Sequence, residues 1–301
     1  VATEEGKRAV REIRETLGRI AAREADAEGA MRGAVADLQR EARRLLADVG
    51  GFRADRLRQI LSGLDALERE YGQEALRRMR PLLREGADLG EELVDRVLGT
   101  RLIQFAPGAV SRTVLEASEG VTASLIRDIG GDAARAIRRE VTLGATGVRS
   151  YAEVVDAIGA NLEDPGPFVS LAARSDAIAR TEIGRLAAIA SQGRQEQAVQ
   201  SVPDLEKMWA HGAVGPLSRP THLAIHGQVR RVSEDFDLPA INAGRQGVLT
   251  ESAPFPRHPS LSAANSVNCL CQSVPHRAAW GLGAPELRML GARRPQAGVV
   301  F

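Results

Sequence analysis

Apolar residues recur every three or four positions through most of the first two thirds of the chain. Between residues 4 and 49, Val10, Ile13, Leu17, Ile20, Ala27 and Met31 keep this alternation, and Val35, Leu38, Ala42, Leu45 and Val49 resume it after a one-residue slip. Such spacing lines the residues along one stripe of an α-helix. The positions between are mostly Arg and Glu, often three or four apart, where they pair across a helical turn. Gly50-Gly51 ends this helix. A second stripe follows in Leu57, Ile60, Leu64, Leu67, Tyr71, Ala75, Met79 and Leu82. Pro81 lacks an N–H and crowds the preceding turn, so it is expected to end or kink that helix. A third, shorter helix is expected from about Glu91 to Gln104. Two arrangements satisfy these stripes. The helices fold into a hairpin packed on itself, or the narrow heptad-like stripe docks on a partner or on a second copy of the chain. Membrane-surface binding is not expected, because the polar faces carry Glu and Arg in near balance.

Phe105-Ala106-Pro107-Gly108 breaks the pattern and divides an N-terminal helical arm, 1–106, from a second region, 107–275. There Val110, Val114, Val121, Leu125 and Ile129 return to helical spacing, and another stripe, Ala133, Ile137 and Val141, follows Gly130-Gly131. Gly144-Ala145-Thr146-Gly147 reads as a turn. Ser150 with Glu153 three residues on has the spacing of a capping box, opening a helix that carries Val154, Val155 and Ile158. Asp164-Pro165-Gly166-Pro167 is a loop, and Ser170 to about Gln200 is one further helix with Leu171, Ile178, Ile183, Leu186 and Ile189 on its apolar side. Beyond Val202-Pro203 helical periodicity stops, and short strands are expected around Val229, Val232 and Val248-Leu249. Residues 276–301 read as an extended tail with one short helical piece near Glu286 to Leu290. The fold class is therefore mainly α: long N-terminal helices, then a helical and α+β region whose last part is irregular.

Composition narrows this picture. In 301 residues the hydrophobic fraction is 44% but aromatics are only 3%, so the core is built from Ala, Leu, Val and Ile. A formal net charge of +1 gives no general argument for nucleic acid or membrane. Contact with DNA would be local, through clusters such as Arg40, Arg43 and Arg44 or Arg77, Arg78 and Arg80. No apolar run is long enough to span a bilayer, and the charged N-terminus lacks the apolar stretch of a secretory signal.

Candidate chemistry gathers between Trp209 and Cys271. Both cysteines of the chain, Cys269 and Cys271, lie there with His222, His226 and His258. Two His four residues apart fall on one helical face, and Cys-x-Cys offers two thiolates from one tight loop. His222, His226, Cys269 and Cys271 would make a closed set of zinc ligands, the pattern of a structural site. In the other reading the thiols stay reduced and packed, while His222 and Asn268 make buried hydrogen bonds that tie the loops. A Cys269–Cys271 disulfide would close a very small, strained ring. The catalytic motifs His-Glu-x-x-His, Gly-x-x-x-x-Gly-Lys-Ser/Thr and Gly-x-Ser-x-Gly are all absent. Glu182 and Arg185, three apart on one helix, can pair on a solvated face.

One ordered series of short motifs runs through the second region. It comprises Arg180-Thr181-Glu182, Gly193-Arg194, Trp209, Arg219-x-x-His222, Gly227-Gln228, Phe236, a Pro-rich segment and Asn268-Cys269-x-Cys271. This order resembles the phage Mu F-like minor head proteins, also called phage head morphogenesis proteins, over roughly residues 110 to 275. The chain departs from the family at Gly215-Pro216-Leu217-Ser218, where an Asp is common, and at Leu270, where Arg is usual. The resemblance implies a virion structural protein of a tailed phage, not an enzyme. It would lie inside the capsid near the portal, after passing through the host cytoplasm during assembly. Its partners would be the portal or the major capsid protein, packaged DNA, and further copies of itself through the N-terminal helices. It further implies that Arg180, Thr181, Glu182, Trp209, Arg219, Gly227, Gln228 and Asn268 are structural motif residues, with Arg180-Thr181-Glu182 holding the His/Cys module in orientation. An alternative is a carrier module for a phage toxin, or a weak metal-dependent hydrolase or nuclease.

Overall fold

A computed structural model describes residues 2–49, 52–99, 112–159, 167–212, 218–239 and 250–283. The breaks read at Gly50-Gly51, Phe105–Gly108 and Asp164–Gly166, the strand at Val248-Leu249 and the helical piece at 286–290 lie outside these residues. Among them the elements run α1 (Glu4–Val49), α2 (Ala54–Leu98), α3 (Arg112–Ala145), α4 (Tyr151–Ile158), α5 (Pro167–Ala198), β1 (Glu206–Ala210), α6 (Pro220–Ala224), β2 (Val229–Arg231), β3 (Phe236–Leu238), β4 (Glu251–Ala253), α7 (Ala263–Ser266) and β5 (Gln272–His276). The protein is mainly helical, with its strands confined to the C-terminal part. No helix among the described residues is long and apolar enough to cross a membrane.

The stripe of α1 is buried within the chain. Val10, Ile13, Leu17, Ile20, Ala27, Met31, Val35, Leu38 and Ala42 are all buried, and Leu46 takes the place expected for Leu45. This is the self-packed alternative, and it leaves that stripe unavailable as a docking face. α2 corrects two expectations. It does not end at Pro81 but continues through it to Leu98, and there is no separate helix beginning at Glu91. Pro81 is exposed, so water can solvate the carbonyl four residues earlier, while Met79 and Leu83 on the opposite side are fully buried and hold the helix together. Gly130-Gly131 likewise does not interrupt α3. A Cβ on Gly130 would come within 3.0 Å of the Tyr71 ring, so this glycine permits close packing inside the helix.

The chain forms two compact units. One comprises Asp26–Leu82 and Ser118–Arg180; the other comprises Val1–Ala25, Leu83–Ala117 and Thr181–Phe301. In the first unit Ser150 caps α4 with both bonds of the capping box, its hydroxyl accepting from the Glu153 N–H while the Glu153 carboxylate accepts from the Ser150 N–H at 2.6 Å. Among the described residues, five of its six cluster arginines have partners. Arg77 and Arg78 bond Glu74, Arg78 and Arg40 reach Asp37, Arg80 lies 3.7 Å from Glu119, and Arg43 donates to the Val155 carbonyl. Glu74, Asp37 and Glu119 offset part of the positive charge of these clusters.

In the second unit Val10, Ile13, Leu17 and Ile20 pack with Leu93, Val94 and Val97, with Ala187 of α5, and with Met208, Val274 and Trp280. Each such fully buried aliphatic side chain contributes about 1.5–3 kcal/mol from removal from water. β1 is the centre of an antiparallel sheet, β2-β1-β5, and β3 pairs with β4 in a second, two-stranded sheet. The stretch read as an extended tail begins inside this core. Pro275 and His276 belong to β5, and Ala278–Trp280 form a 3-10 turn that buries Trp280, whose carbonyl accepts from the Thr3 N–H at 3.0 Å.

Candidate metal centre

β1 alternates its side chains between two apolar clusters. Met208 and Ala210 point into the helical core, and Trp209 points into a smaller cluster with Ile225, Phe236, Leu238, Ala253, Leu261, Cys269 and Cys271. The indole of Trp209 is fully buried and meets the His222 ring edge-on at 5.6 Å and the Phe236 ring at 5.3 Å. His222 comes from α6, which begins at Pro220, a residue suited to the first helical position because its missing N–H has no partner to lose there. The two thiols come from the turn between α7 and β5.

His222, Cys269 and Cys271 form a group whose ligand atoms lie within 4.8 Å of one another, and this group can hold a metal ion. Both sulfurs stand 3.5 Å from the Nδ1 of His222. The three residues are 1–2% exposed, and both cysteines are free. Burial opposes ionisation of the thiols. For Cys269 the hydrogen bonds with Cys271 and His222 and the charge of Arg257 outweigh burial and carry its pKa well below the usual thiol value. For Cys271 burial and the adjacent Cys269 thiolate act together and push it well above. Two neighbouring buried thiols cannot both ionise without a compensating charge, and a divalent cation supplies one.

His226 is not in this group. α6 stops at Ala224, so the i, i+4 relationship expected from the sequence does not persist, and His226 lies in the following turn. Its Nδ1 accepts a hydrogen bond from the His211 N–H at 3.0 Å.

The other motif residues brace the loops around the three donors. The Thr181 hydroxyl accepts from the Asn268 N–H at 3.0 Å. Asn268 adopts a left-handed φ of 55°, which Asn tolerates better than most residues. Arg219 donates to the Val267 carbonyl. The Gly227 N–H donates to the Trp209 carbonyl, and the Trp209 N–H donates to the Gln228 carbonyl, both at 2.9 Å. The Gln228 side chain accepts from the Asp237 N–H at 3.3 Å. Glu182 is buried and accepts from Arg185, which in turn donates to the Arg257 carbonyl at 3.0 Å, so this pair is an anchor and not a solvated surface bridge. Arg180 instead bonds Glu28 at 2.7 Å, within the other compact unit. Arg194 bonds Asp95 at 2.6 Å, and His258 lies apart with Ser260.

Four further residues lie near the centre, and three of them, Arg257, Glu251 and Lys207, carry no sequence signal of their own. Arg257 is fully buried. Its guanidinium donates to the Cys269 carbonyl and to Glu24 at 2.9 Å, and a Cβ on Gly184 would overlap it. Burial works against ionisation of Glu251, but hydrogen bonds from Ser262 and Asn265, with the nearby His222, hold its carboxyl below the usual range. Lys207 is fully buried beneath the Phe236 ring, donating to the Pro254 carbonyl at 2.7 Å, and burial lowers its pKa to about 8. His211, just past β1, is buried beside the thiol cluster. Strand periodicity at Trp209-x-His211 is the signal that would have found it, once β1 is recognised as a strand.

No family model matches the chain, and no solved structure matches it. Among curated proteins the chain is similar to an uncharacterized protein, YqbB, of Bacillus subtilis (strain 168), with 32% identity over 96 residues. That stretch is 32% of this chain and 29% of YqbB, so the match spans less than a third of the relative's length.

Proposed function

We propose that the chain is a minor head protein of a tailed phage or prophage, a structural adaptor whose C-terminal module is locked by a zinc ion. The observation that carries this reading is the convergence of the ordered motifs. Thr181, Trp209, Arg219, Gly227-Gln228 and Asn268 are far apart in sequence, yet their hydrogen bonds fix the loops that present His222, Cys269 and Cys271. A motif series that serves a reaction would place reactive groups at an open surface. Here the donors are 1–2% exposed, which suits a metal that stabilises the fold.

Zinc fits the donor set. With Zn–S of about 2.3 Å and Zn–N of about 2.1 Å, a tetrahedral edge between sulfur and nitrogen is roughly 3.6 Å. Both sulfur–Nδ1 separations are 3.5 Å. Two thiolates balance the charge of one Zn²⁺, so the occupied site is neutral and suits its apolar surroundings. Binding would add folding free energy to a module poor in aromatic residues.

The proposed partners are the portal or the major capsid protein inside the head. Contact would run through the charged faces of the long helices, since the apolar stripe of α1 is buried in the chain. Quantitative mass spectrometry on particles of the encoding phage tests this, compared with empty heads and isolated portal complexes. A low, fixed ratio of this chain to portal subunits is expected. Its absence from particles would remove the head-protein reading, and nuclease assays with and without metal would then test the alternative.

A further inference from the structure

Three protein donors leave a structural zinc site one ligand short. We propose that His211, through its Nε2, is the fourth ligand of the centre formed by His222, Cys269 and Cys271. This inference rests on the metal reading above.

The register of the sheet places His211 there. β1 pairs antiparallel with β5, with Glu206 opposite His276, Trp209 opposite Ser273 and Ala210 opposite Gln272. Continued by one residue, that register sets His211 opposite Cys271. Directly opposed residues on antiparallel strands have Cβ atoms about 4.5–5.5 Å apart and share a face of the sheet. The continuation is real in the backbone, because a Cβ on Gly212 would collide with the Leu270 carbonyl, its expected neighbour. Strand alternation also puts His211 on the same side of β1 as Trp209, which lies against His222 and the thiols. His211 is 5% exposed.

The tautomers separate His211 from His226. The Nδ1 of His211 faces the Gly212 carbonyl at 3.0 Å. A carbonyl only accepts, so Nδ1 carries the proton and the lone pair is on Nε2. His226 is arranged the opposite way: its Nδ1 lone pair already accepts the His211 N–H, so Nε2 carries its proton. The His211 ring lies outside the group of donors within 4.8 Å, so closing the site requires it to rotate toward the thiols. Its backbone already stands beside them.

Cobalt(II) is the probe, titrated into the full-length chain, His211→Gln, His211→Cys and His226→Gln. The wild-type chain is expected to give the intense visible bands of tetrahedral cobalt with two sulfurs and two nitrogens. His211→Gln should shift and weaken those bands and lower zinc affinity, measured by chelator competition, by at least about tenfold. His226→Gln should keep the wild-type spectrum. His211→Cys should recover tight binding and add thiolate-to-cobalt charge-transfer intensity, which a merely structural role for His211 would not produce. A wild-type spectrum from His211→Gln, or loss confined to His226→Gln, overturns the ligand assignment while leaving the metal reading standing. Failure of the wild-type chain to bind cobalt or zinc removes the metal reading and this assignment together.

Discussion

Replacing Gly184 by alanine tests how firmly Arg257 is held beneath the Cys269–Cys271 loop. In the interior of a helix such as α5, Gly→Ala ordinarily stabilises by about 1 kcal/mol, because glycine loses more backbone freedom on folding. At Gly184 the added methyl would occupy the place of the Arg257 guanidinium. A flexible arginine at the surface would swing aside. This one is fully buried, bonded to Glu24 at 2.9 Å and to the Cys269 carbonyl, so displacing it strains or breaks hydrogen bonds of a charged group, at about 1.5–3 kcal/mol each. The helix gain offsets only part of that loss, leaving a net destabilisation of about 2–4 kcal/mol. For a unit of this size, each kcal/mol moves the melting temperature by roughly 2–4 °C. Gly193 on the same helix is the control, since an added Cβ there meets nothing within 4 Å. Thermal and urea denaturation of the full chain should show Gly184→Ala melting roughly 5–15 °C lower and Gly193→Ala slightly higher. Gly184→Ala as stable as wild type, or more so, would refute the argument that Arg257 is immobile.

Removing zinc with a strong chelator, or replacing Cys269 or Cys271 by serine, should lower the melting temperature by many degrees and abolish stoichiometric zinc in elemental analysis; an unchanged melt of zinc-loaded protein after chelation would count against a structural metal. Lys207 gives a pH test. Its folded pKa, about 8, is depressed below the unfolded value near 10.4, so the burial penalty is fully present below about pH 8 and fades as pH rises toward the unfolded value. Urea denaturation should show wild-type stability rising between about pH 8 and 9.5 relative to Lys207→Met, by on the order of 1–2 kcal/mol over that window; parallel curves for the two proteins would contradict it. Ser150→Ala removes the cap of the eight-residue α4 and should cost about 0.5–2 kcal/mol, seen as faster amide exchange through Tyr151–Ile158.

Local pattern is enough to place the long helices. The stripe from Val10 to Ala42 and the run Ile60, Leu64, Tyr71, Ala75 and Met79 are local patterns with a helical period, and the structure buries those positions, leaving Leu67 of the same run half-buried. Ser150 and Glu153 announced a cap because both partners lie within one turn. What the sequence could not decide depends on what stands opposite. Pro81 and Gly130-Gly131 are breakers by propensity, yet α2 and α3 pass through them, since an exposed carbonyl can be solvated and a missing Cβ makes room for Tyr71. β1 and β5 carry no clean alternation, because both faces of β1 are buried, and their pairing joins residues about seventy positions apart. The site divides in the same way. The pairs His222/His226 and Cys269/Cys271 are legible as ligand types at short spacing, but whether His226 joins the other three depends on where α6 stops. The place of His211 depended on the register between two strands, a relation that exists only once the tertiary fold has set them side by side.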